Sequence, residues 1–187
     1  MELAEDLVRE FGDYRVEACT LTGPFKEQIA NRMRNRFIDK LIRVPVDDKV
    51  RIAEALALVG IRRMELFLTV PGWLEAVRAI LRRKLPLDLY VTWHPGRVER
   101  VLELGVRHIM VWYRIGEEHQ RYDLRRSRKE LLDQAADQIG AACKAGCKAN
   151  LFLVEGTRAT LDQVKEAVLV GKQAGASAVT VVDSFGV

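Results

Sequence analysis

The sequence is 187 residues long, 49% hydrophobic and 30% charged, with a formal net charge of +4. That length suffices for one domain, 1–187, with a sizeable core, and the balance excludes a disordered chain or a membrane-embedded one. The longest apolar runs are strand-sized, far short of a bilayer span. The acidic, amphipathic start, MELAEDLVRE, lacks the basic and apolar regions of a secretory signal. Cys19, Cys143 and Cys147 make no disulfide framework, so a reduced, cytoplasmic setting with no membrane partner is expected.

Taken in chain order, the first β-rich run is RVEACTL (15–21). In the long stretch after it, Ile29, Met33, Phe37 and Leu41 recur every four residues. That spacing predicts an extra amphipathic helix inserted near residues 26–43, as a lid, an interface or a packing appendage. Helical and strand patterns then alternate without interruption: VDDKVRIAEALALVG, RRMELFLTV, GWLEAVRAILRRK, LDLYVTWH, PGRVERVLELG, RHIMVWYRI, SRKELLDQAADQIGAACKAG, KANLFLVE, TLDQVKEAVLVGKQAG and SAVTVVDSF. Thr160 is placed to cap the last helix, and Gly60, Gly105, Gly146 and Gly175 are placed to close four of them.

The strands are nearly continuous apolar runs, as expected where both faces of a parallel sheet are covered. Alternating β and α predicts a parallel α/β architecture, either an open doubly wound sheet or a closed barrel. Polar residues collect at the C-terminal ends of the strands: Thr69, His94, Arg114, Glu155 and Asp183. Both architectures place their chemistry there. No Gly-rich phosphate fingerprint follows the first strand, where TLTGPFKEQ stands, which argues against a dinucleotide fold. Two basic clusters, NRMRNRFIDKLIR (31–43) and RYDLRRSRK (121–129), read as solvated helix faces or as a surface for a phosphorylated ligand. No nucleic-acid partner is expected, because their arginines are not interleaved with exposed aromatics in a recognisable module.

Four segments in order, DDKVRIAEALALVGIRRMEL, DLRRSRKELLDQAADQIGAACKAG, VEGTRATLDQV and VVDSFGV, resemble the HMG-CoA-lyase-like or pyruvate-carboxyltransferase barrels. These are also called DRE-TIM metallolyases and include isopropylmalate, homocitrate and citramalate synthases. The resemblance runs from about Arg15 to the last residue. It implies a TIM-type (β/α)8 barrel that makes or breaks a carbon–carbon bond beside a carbonyl, condensing an acyl-CoA with a 2-oxo acid or running the lyase reverse. It also implies a divalent metal (Mg, Mn or Zn) that polarises the oxo-acid carbonyl and stabilises the oxyanion or enolate. VVDSFGV matches the sixth strand. A barrel of this type takes about 250 residues, so an incomplete barrel of about six βα units is expected here.

The same resemblance distributes roles. Glu155 matches an acid of the active-site constellation near the reacting carbonyl, and Thr157 and Arg158 match the Thr-Arg pair beyond it. Asp183 and Ser184 match an Asp-Thr pair whose hydroxyl helps hold the oxo-acid carboxylate. Glu65 matches a glutamate on the second strand. His94, at the end of LYVTWH, is not a position where the family has histidine as a rule, but it is the best placed of three histidines for acid–base work or for a metal. The expected catalytic set is therefore Glu155, Arg158 and His94, and the expected substrate-binding set is Ser184, Asp183, Thr157 and Glu65. Each has a structural competitor: a Glu–Arg pair orienting a loop, a turn cap at Asp183, a paired acid inside the barrel at Glu65, and a hydrogen-bonded strand-end histidine.

The departures from the family pattern are as informative. Thr20-Leu21-Thr22-Gly23-Pro24 stands where the family has Thr-Leu-Arg-Asp-Gly, and the His-x-His of a seventh strand has no counterpart. The divalent metal is implied by the family but is not supported by ligands in this chain, and no metal-binding residue is assigned. Two alternatives to the enzyme follow: a catalytically degenerate barrel acting as a binding or scaffold subunit, and one half of a split enzyme. Strands 15–21 and 177–185 at open sheet edges further predict a homo-oligomer or a completing partner chain.

Overall fold

The computed structural model describes residues 45–183 except 69–71, 96 and 118, and describes 119 and 123 by their backbone only. The strand expected at 15–21, the helix expected near 26–43, Thr69 and Ser184 lie outside the described residues. The elements alternate as the sequence predicts: α1 (Val46–Leu58), β1 (Arg63–Leu66), α2 (Trp73–Arg82), β2 (Asp88–Thr92), α3 (Val98–Glu103), β3 (His108–Arg114), a turn of π-helix (His119–Leu124), α4 (Arg128–Lys144), β4 (Lys148–Val154), a 3-10 turn (Gly156–Arg158), α5 (Leu161–Ala174) and β5 (Ala178–Val181). Pro45 leads into α1, whose first turn carries Asp47 and Asp48, charges that the helix N-terminus favours. The four glycines expected to close helices all adopt left-handed φ, from 75° at Gly146 to 99° at Gly175.

The strands lie in sequence order, β1-β2-β3-β4-β5. An open doubly wound sheet starts in its middle and grows in both directions, whereas a (β/α)8 barrel adds each strand beside the last. The observed order decides between the two readings the sequence left open. The fold is an incomplete TIM-type barrel, and five of the six expected βα units are among the described residues.

The chain divides between His108 and Ile109 into two compact units. In the unit holding residues 45–108, β1 and β2 pair in parallel, with Glu65 opposite Tyr90 and Leu66 opposite Val91. Its interior is built from Met64, Leu66 and Leu68, from Leu89 and Val91, and from Val50, Ala53, Ala76, Val77, Ile80 and Val101 on the helices. Each large aliphatic side chain so buried contributes about 1.5–3 kcal/mol. At the N-terminal ends of its strands, the His108 ring lies 4.8 Å from that of Tyr90, and its Nε2 lies 3.9 Å from Asp88. The Arg63 guanidinium covers the Tyr90 ring at 5.8 Å. These polar contacts occupy the strand ends opposite to those expected to carry chemistry.

In the unit holding residues 109–183, β4 and β5 pair in parallel, from Asn150 opposite Ala178 to Leu153 opposite Val181. Ala149, Leu151 and Leu153 are buried, as are Leu131, Ile139, Ala142, Val164 and Ala167 of α4 and α5. Gly171 on α5 presses so closely that a methyl there would lie 2.7 Å from Leu151 Cδ2. Alternate residues of β4 carry other contacts: Phe152 stacks on Trp112 at 6.0 Å. Asn150 Nδ2 donates to Thr180 Oγ1 at 2.9 Å, while the Thr180 hydroxyl lies 3.2 Å from Asn150 Oδ1.

Candidate active site

At the C-terminal ends of β3 and β4, the last rung between the strands is the Ile115 N–H donating to the Val154 carbonyl at 3.2 Å. One residue further on, Glu155 turns the chain. Its backbone is left-handed (φ 62°, ψ 28°) although it is not a glycine, a conformation that costs an L-residue about 1–2 kcal/mol. The residue is only 4% exposed. Its carboxyl lies over Gly116, where a methyl would sit 2.9 Å from Cδ and closer still to Oε2. On the other side, a methyl at Gly156 would lie 2.7 Å from Val181 Cγ1 and 3.3 Å from the Val182 nitrogen. Two side-chain-free positions thus let the Glu155 turn wedge between the ends of β3 and β5.

The 3-10 turn brings Arg158 back over the acid. Its amide donates to the Glu155 carbonyl at 3.1 Å, and its Nη1 stands 3.8 Å from Glu155 Oε1. Thr157 Oγ1 lies 3.4 Å from Asp183 Oδ1, at the exit of β5. Of the expected site residues, Glu155, Thr157, Arg158 and Asp183 therefore form one cluster at strand C-terminal ends. Thr160 then caps α5 through a capping box with Gln163, and Gln163 Nε2 also donates to Glu117 Oε1 at 3.1 Å, tying this turn to the segment after β3.

Glu65 and His94 belong to the other unit. Glu65 sits in the middle of β1, 4% exposed, and among the described residues its Oε2 has no hydrogen-bond partner. Burial pushes its pKa from 4.5 up to about 8, because a carboxylate out of water loses solvation that nothing replaces. Glu65 is thus the interior acid that the sequence suggested, buried with Oε2 unbonded among the described residues and favouring its neutral form. His94 follows β2, half-buried, with Nδ1 2.9 Å from the Pro95 carbonyl oxygen, and its own carbonyl accepts from Arg97 and Val98.

Sequence reasoning missed three residues. Arg97, just before α3, donates to the Leu68 carbonyl two residues past β1. Gly116 lies against the Glu155 carboxyl, and Gln120 bonds to the residues at the end of β3. The signal for Gly116 was present, a glycine at a strand C-terminus in RIGEE, but what needed its bareness was not. Among the described residues, no group of three or more His, Cys, Asp or Glu could hold a metal ion. Glu155 and Asp183 are engaged with Arg158 and Thr157, so this cluster does not fit the divalent ion that the resemblance implies. No helix among the described residues is long and apolar enough to cross a membrane.

Comparison with known proteins places this geometry. A family model described as HMGL-like matches residues 41–187. The homocitrate synthase of Sulfolobus acidocaldarius is 28% identical over 149 residues, covering 75% of this chain and 32% of its own. A probable 2-isopropylmalate synthase of Methanopyrus kandleri is 29% identical, covering 78% and 30%, and one of Ignicoccus hospitalis is 30% identical, covering 75% and 36%. The chain thus spans about a third of the length of these relatives. Among solved structures, the HMG-CoA lyase of Bacillus subtilis superimposes with a TM-score of 0.63 at 22% identity, over 76% of this chain and 53% of that one. Hydroxymethylglutaryl-CoA lyase from Pseudomonas aeruginosa gives 0.65 at 21% identity, over 77% and 53%.

Proposed function

We propose, because the chain belongs to the HMGL-like family, that it carries part of an enzyme that makes or breaks a carbon–carbon bond beside a carbonyl. The substrates are an acyl-CoA and a 2-oxo acid, joined in a condensation or released in the lyase reverse. The observation that carries this reading is Glu155: an acid held in a left-handed turn at a strand C-terminus, buried, with a guanidinium 3.8 Å from it. Strain and burial of that kind persist only where the surroundings over-determine them, and they concentrate at functional sites.

In this reading Glu155 takes and returns the proton of the carbon next to the carbonyl, its carboxyl being held at a strand end by the turn that carries it. Arg158 neutralises negative charge that develops on the substrate oxygen. Asp183 and Thr157 contact the oxo acid, with Ser184 beside them in sequence; Glu65 and His94, which belong to the other unit, are given no step here. None of these steps runs through the divalent metal that the family implies. A cytoplasmic setting and a homo-oligomer or completing partner chain belong to the same reading.

The test is release of free CoA from acetyl-CoA, followed with a thiol reagent, across a panel of 2-oxo acids and, for the lyase direction, formation of acetyl-CoA from hydroxymethylglutaryl-CoA, followed by chromatography. Turnover that falls by about 100-fold or more in Glu155→Gln supports the reading. A folded protein that binds neither an acyl-CoA nor a 2-oxo acid overturns it in favour of a scaffold subunit, and turnover appearing only with a second polypeptide favours a split enzyme.

A further inference from the structure

Gln120 holds together a strand end that the steps above leave without a role. It is 8% exposed, in the first turn of the π-helix that follows β3. Its Nε2 stands within hydrogen-bonding reach of three acceptors at the end of that strand: the Arg114 carbonyl at 2.9 Å, the Tyr113 hydroxyl at 3.2 Å and the Ile115 carbonyl at 3.4 Å. Its backbone N–H donates to the Gly116 carbonyl at 3.1 Å. The two N–H groups of the side chain are thus shared among the Arg114 and Ile115 carbonyls and the Tyr113 hydroxyl, while the backbone of the same residue holds the Gly116 carbonyl. Helices of the π type occur mostly as single turns and frequently at functional sites. Here residue 120, at the start of that turn, bonds back to residue 116.

What is held in this way is the surface against which Glu155 rests. The Glu155 carboxyl fills the space a Cβ on Gly116 would take, so a small shift of the Gly116 backbone is transmitted directly to Oε2 and Cδ. Among the described residues the last rung between β3 and β4 lies one residue earlier, at Ile115 N–H to Val154 O, and the Gly116 carbonyl accepts from Gln120 instead. Tyr113, the side-chain acceptor of Gln120, is itself 1% exposed and anchored among the core residues of this unit.

We propose that Gln120 is a positioning residue for the site acid: through the 114–116 carbonyls it fixes Gly116, and through Gly116 it fixes the Glu155 carboxylate. The inference rests on the reading of Glu155 as the acid of the site, but its test reads Glu155 itself.

The measurement is the side-chain carboxyl carbon resonance of Glu155 in the whole protein labelled with 13C-glutamate, with exposed Glu75 and Glu103 as internal references. Gln120→Leu keeps bulk but removes the donor, and Gln120→Glu keeps the shape while placing an acceptor against three acceptors. In both, with far-UV circular dichroism unchanged, the Glu155 resonance is expected to move toward its position in the urea-unfolded chain while Glu75 and Glu103 stay. Gly116→Ala is expected to move it regardless of residue 120. An unmoved Glu155 resonance in either folded Gln120 variant overturns the inference. So does loss of folding in both variants, which would make Gln120 a residue of global stability. A moved resonance in a protein without turnover retires the enzymatic reading and leaves the positioning role standing; turnover lost in Glu155→Gln with the resonance indifferent to Gln120 does the reverse.

Discussion

Gly116 and Glu155 compete for the same volume: the carboxyl of Glu155 lies where the first side-chain atom of any other residue at 116 would have to be. The two positions are 39 residues apart in sequence but are adjacent at the ends of neighbouring strands, one step beyond the last rung that joins them. A glycine on one strand thus permits a buried acid on the next, and neither residue can be understood alone.

Gly116→Ala follows directly. A methyl 2.9 Å from the carboxyl carbon, and closer to its oxygen, cannot be absorbed by van der Waals give, so the carboxyl must leave or the backbone must shift. Overpacking of this kind costs about 1–3 kcal/mol. Urea unfolding should show that loss in the single variant. Combining it with Glu155→Ala, which empties the contested space, should recover most of it. Losses that simply add in the double variant would show that the two residues do not compete.

The left-handed backbone at Glu155 makes a separate, opposite prediction. Glu155→Ala and Glu155→Gly both remove the carboxyl, but only glycine tolerates φ 62° without steric cost. Glycine should therefore be the more stable of the two by about 1 kcal/mol. This reverses the usual order, since elsewhere glycine loses more entropy on folding than alanine. An alanine variant as stable as the glycine one would mean that the turn relaxes to ordinary φ once the acid is gone.

Local chemistry was legible in the sequence and tertiary proximity was not. The strand and helix periods of residues 45–183 could be read directly, because buried parallel strands and amphipathic helices differ in their apolar spacing. Thr160 was readable as a cap and Gly60, Gly105, Gly146 and Gly175 as helix ends, because their roles depend on neighbours four residues away at most. The basic cluster 121–129 reads partly as a solvated face. Lys129 pairs with Asp133 at 2.6 Å, and Arg128 with Glu166. The bareness of Gly116, the reach of Gln120 and the missing partner of Glu65 arise from contacts between elements, which spacing along one strand does not encode. Ser127 is a different case. Its S-x-x-E pattern with Glu130 announces a capping box, and it was overlooked beside the more conspicuous charges around it.

That capping box is complete: the Ser127 hydroxyl accepts from the Glu130 amide at 3.3 Å, and Ser127 N–H donates to Glu130 Oε2 at 2.8 Å. Ser127→Ala should cost about 1 kcal/mol, and Ser127→Asp should retain most of it, since an aspartate accepts the same bond at a favourable dipole end. An alanine variant as stable as the parent, measured by thermal or urea unfolding, would show that the box contributes nothing beyond the helix it decorates.

Glu65 gives the clearest dependence on pH. Its folded-state pKa of about 8 lies above its ordinary 4.5, and the cause is burial. Between those values the folded protein holds a proton that the unfolded chain releases. Stability contributed by the neutral carboxyl is therefore complete below about pH 4.5 and is lost progressively as pH rises toward 8. The size of the displacement sets a ceiling of about 5 kcal/mol on that loss. Glu65→Gln keeps the shape, remains neutral throughout and should remove the dependence. The two proteins should be of similar stability near pH 4.5, and the variant should become progressively the more stable of the two toward pH 8. Taking the difference between them cancels histidines and every other group that titrates alike in both. A difference that stays constant across this window would mean that Glu65 is ionised in the folded protein, and with it that the acid has found a partner or water that the buried strand position denies it.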